Sequence, residues 1–174
     1  MSDLSKALDF VFKAEGGYCN DKNDHGGATN LGIIQREYDA WRKERELPLR
    51  SVRDIDKDEA IKIYTDEYWL AGKCDKMPWP VNMVHLDACI NTGVHQAAKF
   101  LQRAIGVADD GIVGPNTLGA VEGCCKASSA LVIAIRVADQ RIPFYRRLVD
   151  KDPTQEDFID GWLNRVNNLK EAIV

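Results

Sequence analysis

At 174 residues the chain has the length of about one domain, and with 45% hydrophobic and 29% charged residues it has an ordinary globular composition. Its 13 glycines and 6 prolines are too few for a collagen-like or low-complexity chain. Lys+Arg of 23 against Asp+Glu of 27 gives a net charge of -4, which excludes the basic footprint of a nucleic-acid binder.

The first helix is predicted from about Asp3 to Glu15, because Leu4, Ala7, Leu8 and Val11 recur at helical spacing. Ser2 caps it and Gly16-Gly17 ends it. Tyr18 to Ile34 is rich in Gly, Asn and Asp and predicts a small β-hairpin with its turn at Lys22–Gly27. Gln35–Glu46 reads as a charged helix with Tyr38 and Trp41 on one side. Asp56 to Glu59 forms a capping box before Ala60–Tyr64 and Tyr68-Trp69. Met77-Pro-Trp-Pro80 is a break. Val81–Gly93 and Gln96–Ile105 form a helical pair, and Pro115 starts another helix after the Asp109–Gly114 loop. Ser128–Leu148 and Glu156–Ile173 complete the chain, the last with Phe158, Trp162, Val166 and Leu169 as a core stripe. The sum is a mainly α (α+β) chain with one small hairpin lobe after the first helix and a larger helical lobe.

No run approaches about 18 apolar residues, so no membrane insertion is expected. The start lacks a basic segment followed by an apolar one, so synthesis in the cytoplasm without a signal peptide is expected. The five cysteines are odd in number, with Cys124 and Cys125 adjacent, and do not form a disulfide framework. No Cys-x-x-Cys or His-Glu-x-x-His spacing is present, so no metal and no other cofactor is expected.

The stretch from Ala14 to Ile33 carries the chemistry. Glu15 stands where the first helix stops, so its carboxyl projects past the last turn toward the space the hairpin encloses. The negative end of the helix dipole favours the protonated acid there, which is the form that gives a proton to a glycosidic oxygen. Nine residues on, Asp24 lies at the hairpin turn, where solvent keeps a carboxylate ionised. Thr29 follows on the return strand with a hydroxyl able to orient a water. Two carboxyl groups in contrasting environments form the pattern of glycoside hydrolysis. Read without further context, the same residues also fit a solvated helix end followed by an ordinary Asp-Gly turn.

Glu15-Gly-Gly-Tyr18, Asn20-Asp21, Asp24, Gly26-Gly-Ala-Thr29-Asn30 and Gly32-Ile33 resemble the lysozyme-like muramidases of glycoside hydrolase family 108, which include phage endolysins and secretion-activator proteins. The order Glu, eight residues, Asp, four residues, Thr is also similar to the catalytic spacing of phage-type lysozymes. The resemblance implies Glu15 as the catalytic acid, with Asp24 as the second carboxylate, Asp21 its competitor, and Thr29 beside it. Cys19 and His25 depart from the pattern, and neither removes a group that the mechanism needs. Leu86–Gly93, Ala97–Gln102, Asp110–Pro115 and Thr117-Leu118 resemble the predicted peptidoglycan domain that accompanies such enzymes. The implied organisation is one lysozyme-like domain over 1–174, with a catalytic region at 4–80 and a helical peptidoglycan half at 81–170.

Tyr18, Asp21, Asn30, Asp87 and Asn91 are the candidate substrate-binding residues. Asn91 would face Glu15 across the cleft or cap its own helix, and Asp87 lies one turn earlier on the same face. Tyr18, Tyr64, Trp69 and Trp79 fit either sugar stacking or core packing. The activity implied is cleavage of the β-1,4 bond between N-acetylmuramic acid and N-acetylglucosamine in bacterial peptidoglycan, by a monomer. A phage endolysin would reach the wall from the cytoplasm after holin-dependent release. Two alternatives remain at this level: a non-catalytic wall-binding or secretion-assisting protein, and a peptidase using Cys19 or Cys89 with a histidine.

Overall fold

The computed structural model describes residues 1–19 and 28–174. The turn expected at Lys22–Gly27, together with Asp21, Asp24 and His25, lies outside the described residues.

Helix α1 runs over Asp3–Ala14 and buries Ala7, Leu8 and Val11. Its cap is the expected one, the Ser5 amide donating to Ser2 Oγ at 3.2 Å. Strands β1 (Thr29–Asn30) and β2 (Ile33–Ile34) pair antiparallel, Thr29 with Ile34 and Asn30 with Ile33. A bridge from Cys19 to Thr29 adds a third backbone segment. The tight turn joining the strands is Leu31-Gly32, with φ of 51° and 76°. Two consecutive positive φ values are the two-residue turn whose twist matches a hairpin. A leucine in that position is uncommon.

Helix α2 (Gln35–Glu44) follows at once, and Gln35 anchors the segment beyond it. The Val52 amide donates to Gln35 Oε1 at 2.7 Å, and Gln35 Nε2 donates to the Arg50 carbonyl at 3.0 Å. Helix α3 (Lys57–Ile63) starts on Asp56, whose Oδ1 accepts from the Glu59 amide at 2.8 Å. Glu59 then collects Tyr38 Oη at 2.7 Å, Arg42 Nη1 at 2.6 Å and Arg50. Its side chain welds α2, α3 and the loop between them. The helix widens into a π-helical segment at Tyr64–Leu70, and a 3-10 turn at Cys74–Lys76 leads to the proline break.

Helix α4 (Val81–Thr92) is the centre of the molecule, buried at every position from Val81 to Cys89. Neighbours surround it on all sides, so it is mostly apolar all round, with Asn82, His85 and Asp87 as its buried polar residues. Helices α1, α5 (Val94–Ile105) and α7 (Ala130–Asp139) pack directly on it. Between α5 and α6 (Pro115–Ala127), Gln102 holds the Asp-Gly-Ile-Val-Gly loop by donating to Asp110 Oδ1 at 2.6 Å and accepting from the Gly111 amide at 2.9 Å.

The single helix expected over Ser128–Leu148 is two helices, α7 and α8 (Arg141–Lys151). Pro143 accounts for the break. It has no N–H to give to the Asp139 carbonyl and its ring would collide with that oxygen, so a new helix begins with Pro143 in its first turn. Helix α9 (Glu156–Ala172) closes the fold. Val166 and Leu169 are core as expected, whereas Phe158 is exposed and lies against Trp162, which stacks on Tyr145 at 5.0 Å between centroids. Among the described residues no single helix is long and apolar enough to cross a membrane.

Asp87 is a carboxylate in the middle of this apolar helix, and it is fully buried. An unpaired buried charge costs several kcal/mol, more than the roughly 1.5–3 kcal/mol gained by burying one neighbouring aliphatic side chain. The fold resolves the deficit with Arg141 of α8, itself fully buried, whose Nη1 donates to Asp87 Oδ2 at 2.6 Å. Tyr145 Oη accepts from the other face of the same guanidinium at 3.0 and 3.2 Å. Arg141→Met is therefore expected to cost roughly 3–5 kcal/mol of stability in urea denaturation, because it strips a buried carboxylate of one partner.

Candidate active site

Helix α1 ends by leaving the helical backbone at Glu15, which has φ -85° and ψ 137° while its amide still donates to the Val11 carbonyl at 2.8 Å. The change of direction carries the side chain out of the helix and over the turn of the hairpin. There it lies on Gly32. A Cβ at that glycine would come within 2.6 Å of Glu15 Cγ, 2.7 Å of Cδ and 2.5 Å of Tyr64 Oη. Gly32 is thus required twice, by its positive φ and by the closeness of the carboxyl. Tyr64 is buried and donates to the Leu31 carbonyl at 2.7 Å, so the π-helical segment holds the turn that supports Glu15. Burial, with the charge of Glu15 adding to it, pushes the Tyr64 phenol well above its ordinary value, so it acts as a fixed donor.

On its other side Glu15 meets Arg165 of α9, whose Nη1 donates to Glu15 Oε1 at 2.5 Å. Among the described residues no hydrogen bond reaches Oε2. Arg165 is a fork. Its Nε and Nη2 donate to Asp87 Oδ1 at 3.0 and 2.8 Å while Nη1 serves Glu15. Charges therefore alternate from Glu15 through Arg165 and Asp87 to Arg141. Burial alone would raise the Asp87 carboxyl, but the charges of Arg141 and Arg165 and their hydrogen bonds outweigh it and hold it below the usual carboxylate value. For Arg165 burial acts downward, and Asp87 and then Glu15 more than restore it, so the guanidinium stays charged.

The residues singled out in the sequence fall into separate groups. Glu15 is at the centre of this arrangement. Thr29 sits in β1, paired to Ile34 on one side and exchanging backbone hydrogen bonds of 2.8 and 2.9 Å with Cys19 on the other. Asp24 and Asp21 lie outside the described residues. Tyr18 is exposed beside the hairpin, with the Arg53 guanidinium 5.3 Å from its ring centroid.

Asp87 is corrected: it shares a face with Asn91 as its spacing indicated, but that face is internal, so the residue holds arginines rather than sugar. Asn30, half-buried, donates from Nδ2 to the Val52 and Arg53 carbonyls at 3.2 and 2.9 Å, tying the hairpin to the following turn. Asn91 donates to the Asp87 carbonyl one turn back at 2.7 Å, satisfying its own helix backbone, and also borders an open groove of about 570 Å³ between α1, α4 and α9. Lys13, Trp162, Asn168 and Arg165 line the same groove, and its edge at Ala14 and Arg165 adjoins Glu15. Tyr64 and Trp69 are core residues, and Trp79 is half-buried beneath Lys6, whose Nζ lies 5.1 Å from the ring centroid.

Cys89 stands beside His85, four residues away on α4, but both are fully buried beyond the reach of a polymer, so a thiol peptidase built on Cys89 is not supported. Cys19 is exposed; of the histidines, His85 is in the core, His95 packs against Gly111 and His25 lies outside the described residues.

Arg165 was the residue missed. Its signal was present: it lies three residues after Trp162 and four before Leu169, a cation inside an otherwise apolar stripe. Such a position demands a buried acidic partner, though it does not say which one.

The family described as "Glycosyl hydrolase 108" matches residues 8–93, and that described as "Predicted Peptidoglycan domain" matches residues 96–167. A solved structure titled "Structure of Brucella abortus SagA" has 33% sequence identity and a TM-score of 0.80, covering 97% of this chain and 91% of that one. Comparison with curated proteins gave no match.

Gly32→Ala should remove most of the hydrolytic activity while costing only about 1–2 kcal/mol of stability, because the added methyl displaces the Glu15 carboxyl and strains the turn. Activity and thermal unfolding measured on the same preparation test this; an alanine variant with wild-type turnover would separate the turn from the chemistry.

Proposed function

We propose that this chain, which belongs to the glycosyl hydrolase 108 family, is an N-acetylmuramidase that cleaves the β-1,4 bond between N-acetylmuramic acid and N-acetylglucosamine. The family and the peptidoglycan domain identify a glycoside hydrolase of peptidoglycan; the bond and the biological setting are the inference. The observation that carries it is the placement of Glu15, held at the end of α1 between Gly32 and Arg165.

In the reaction Glu15 gives its proton to the leaving glycosidic oxygen. The Arg165 contact fixes the rotamer of the carboxyl that gives the proton. Asp24, or Asp21 in its place, then carries the second half of the chemistry by stabilising the oxocarbenium-like transition state or activating water. Thr29 orients that water, and Tyr18 offers its ring to a sugar face. The groove beside Arg165, with Lys13 and Asn91, suits polar substituents of the glycan. The setting that fits a chain of this kind is a phage endolysin, made in the cytoplasm and acting as a monomer on the wall after release through a holin pore.

Glu15→Gln assayed on purified peptidoglycan is expected to lose activity by about 100-fold or more, the usual contribution of a general acid, with unchanged unfolding behaviour. Cys19→Ser should keep full activity, and products from both active proteins should carry new reducing ends. Full activity in Glu15→Gln would overturn the reading. Wall sedimentation without any hydrolysis by the wild type would make the chain a binding module, and free amino groups lost with Cys19→Ser would make it a peptidase.

A further inference from the structure

A cluster in the core has no part in this chemistry. Cys74, in the 3-10 turn after the π-helical segment, faces His85 and Cys89, one turn apart on α4, and all three are fully buried. One donor atom from each lies within 4.8 Å of the others. Buried cysteines commonly behave as small apolar residues, and two of them alone would need no further account. The histidine does need one. His85 Nε2 lies 3.1 Å from the Gly72 carbonyl oxygen, which can only accept, so Nε2 carries the proton. Nδ1 then keeps its lone pair in the core, and the group set against it is the Cys89 thiol, a weak donor. A thiol S–H satisfies such an acceptor poorly, so the position suits something that takes up that lone pair more fully.

The surroundings narrow what that is. A ring N–H given to a backbone carbonyl, leaving the second nitrogen free, is how metal-bound imidazoles are held. Both sulfurs also converge on one glycine: a Cβ at Gly72 would come within 2.8 Å of Cys89 Sγ and 3.3 Å of Cys74 Sγ. The residue whose carbonyl orients the imidazole therefore also leaves room for the two thiols. Two thiolates with a neutral imidazole form a soft donor set, which selects thiophilic cations over magnesium or calcium. Charge decides between the thiophilic ions. In a site without solvent the assembly must be close to neutral, and two thiolates neutralise a divalent cation but leave a monovalent one with an excess negative charge.

We propose that Cys74, His85 and Cys89 form a structural site for a divalent thiophilic cation of the zinc class. Binding replaces two S–H bonds with two sulfur–metal bonds and releases two protons, with no change in oxidation state. The site staples the turn at Cys74 to α4. In doing so it joins the segment whose Tyr64 supports the hairpin turn to the helix whose Asp87 holds Arg165. Its role is to stabilise the two supports of Glu15 relative to each other. The absence of a short-range cysteine motif concealed it, since Cys74 is distant in sequence and only the His85–Cys89 spacing is helical.

The test uses the full chain, unfolded in denaturant with a chelator and refolded with or without Zn2+. One zinc ion per chain should survive gel filtration, with a higher Tm than the metal-free protein. X-ray absorption should report a mixed shell of sulfur and nitrogen. Cd2+ in place of Zn2+ should give a thiolate charge-transfer band that persists in Cys19→Ser and is lost in Cys74→Ala or Cys89→Ala. A shell of nitrogen and oxygen alone, a band that survives both alanine substitutions, or no retained metal would overturn the site. A metal-free protein two hydrogens lighter, with Cys74 and Cys89 in one cross-linked peptide, would overturn it in favour of a disulfide. The X-ray result on the wild type stands even where an alanine variant fails to fold, and none of these measurements depends on hydrolytic activity.

Discussion

A buried carboxylate sets the terms for this fold. Asp87 lies in a helix enclosed on all sides, and a charge there is tolerated only when partners neutralise it and satisfy its oxygens. Arg141 supplies one partner from α8 and Arg165 the other from α9, which recruits two late elements of the chain onto the central helix. Replacing the three with apolar residues of similar volume would be energetically permissible in general. What such a core would lose is the third contact of Arg165, the one to Glu15.

That contact explains why a polar network stands where packing alone would serve. Glu15 follows the last turn of α1, a position where a side chain ordinarily samples several rotamers in solvent. Here the Arg165 fork restrains it from one side and the glycine of the hairpin turn from the other. Since Asp87 holds two of the donors on Arg165, the guanidinium cannot follow Glu15 if the carboxyl shifts. The acid is thus positioned by a group that is itself positioned, through a salt bridge whose far end is in the core.

Local features of this architecture were legible in the sequence because local physics decides them. The Ser2 and Asp56 caps, the break at Met77–Pro80 and Pro115 at a helix start all follow from backbone groups within a few residues. Glu15 was legible for the same reason, as a carboxyl at a helix end before a glycine-rich stretch. Longer-range choices were not. Asp87 shares a face with Asn91, but only the packing of α7, α8 and α9 decides that the face is internal. The anchoring of Asn30 depends on carbonyls that the chain returns 22 and 23 residues on. Arg165 is 150 residues from Glu15 and 78 from Asp87, and no pattern within one element connects them. Pro143 could have been read correctly, since a proline inside a helical pattern predicts the break found at Gln140.

Under the proposed function, Arg165 acts on catalysis through the position of Glu15 and not merely through stability. This role is tested most directly by steady-state kinetics of Arg165→Met and Arg165→Lys on purified peptidoglycan, at a temperature where circular dichroism shows both folded. In the methionine variant kcat should fall by about tenfold or more with little change in KM, the expected result of a misplaced catalytic group, and lysine should restore part of it. A folded methionine variant with wild-type kcat would contradict that role.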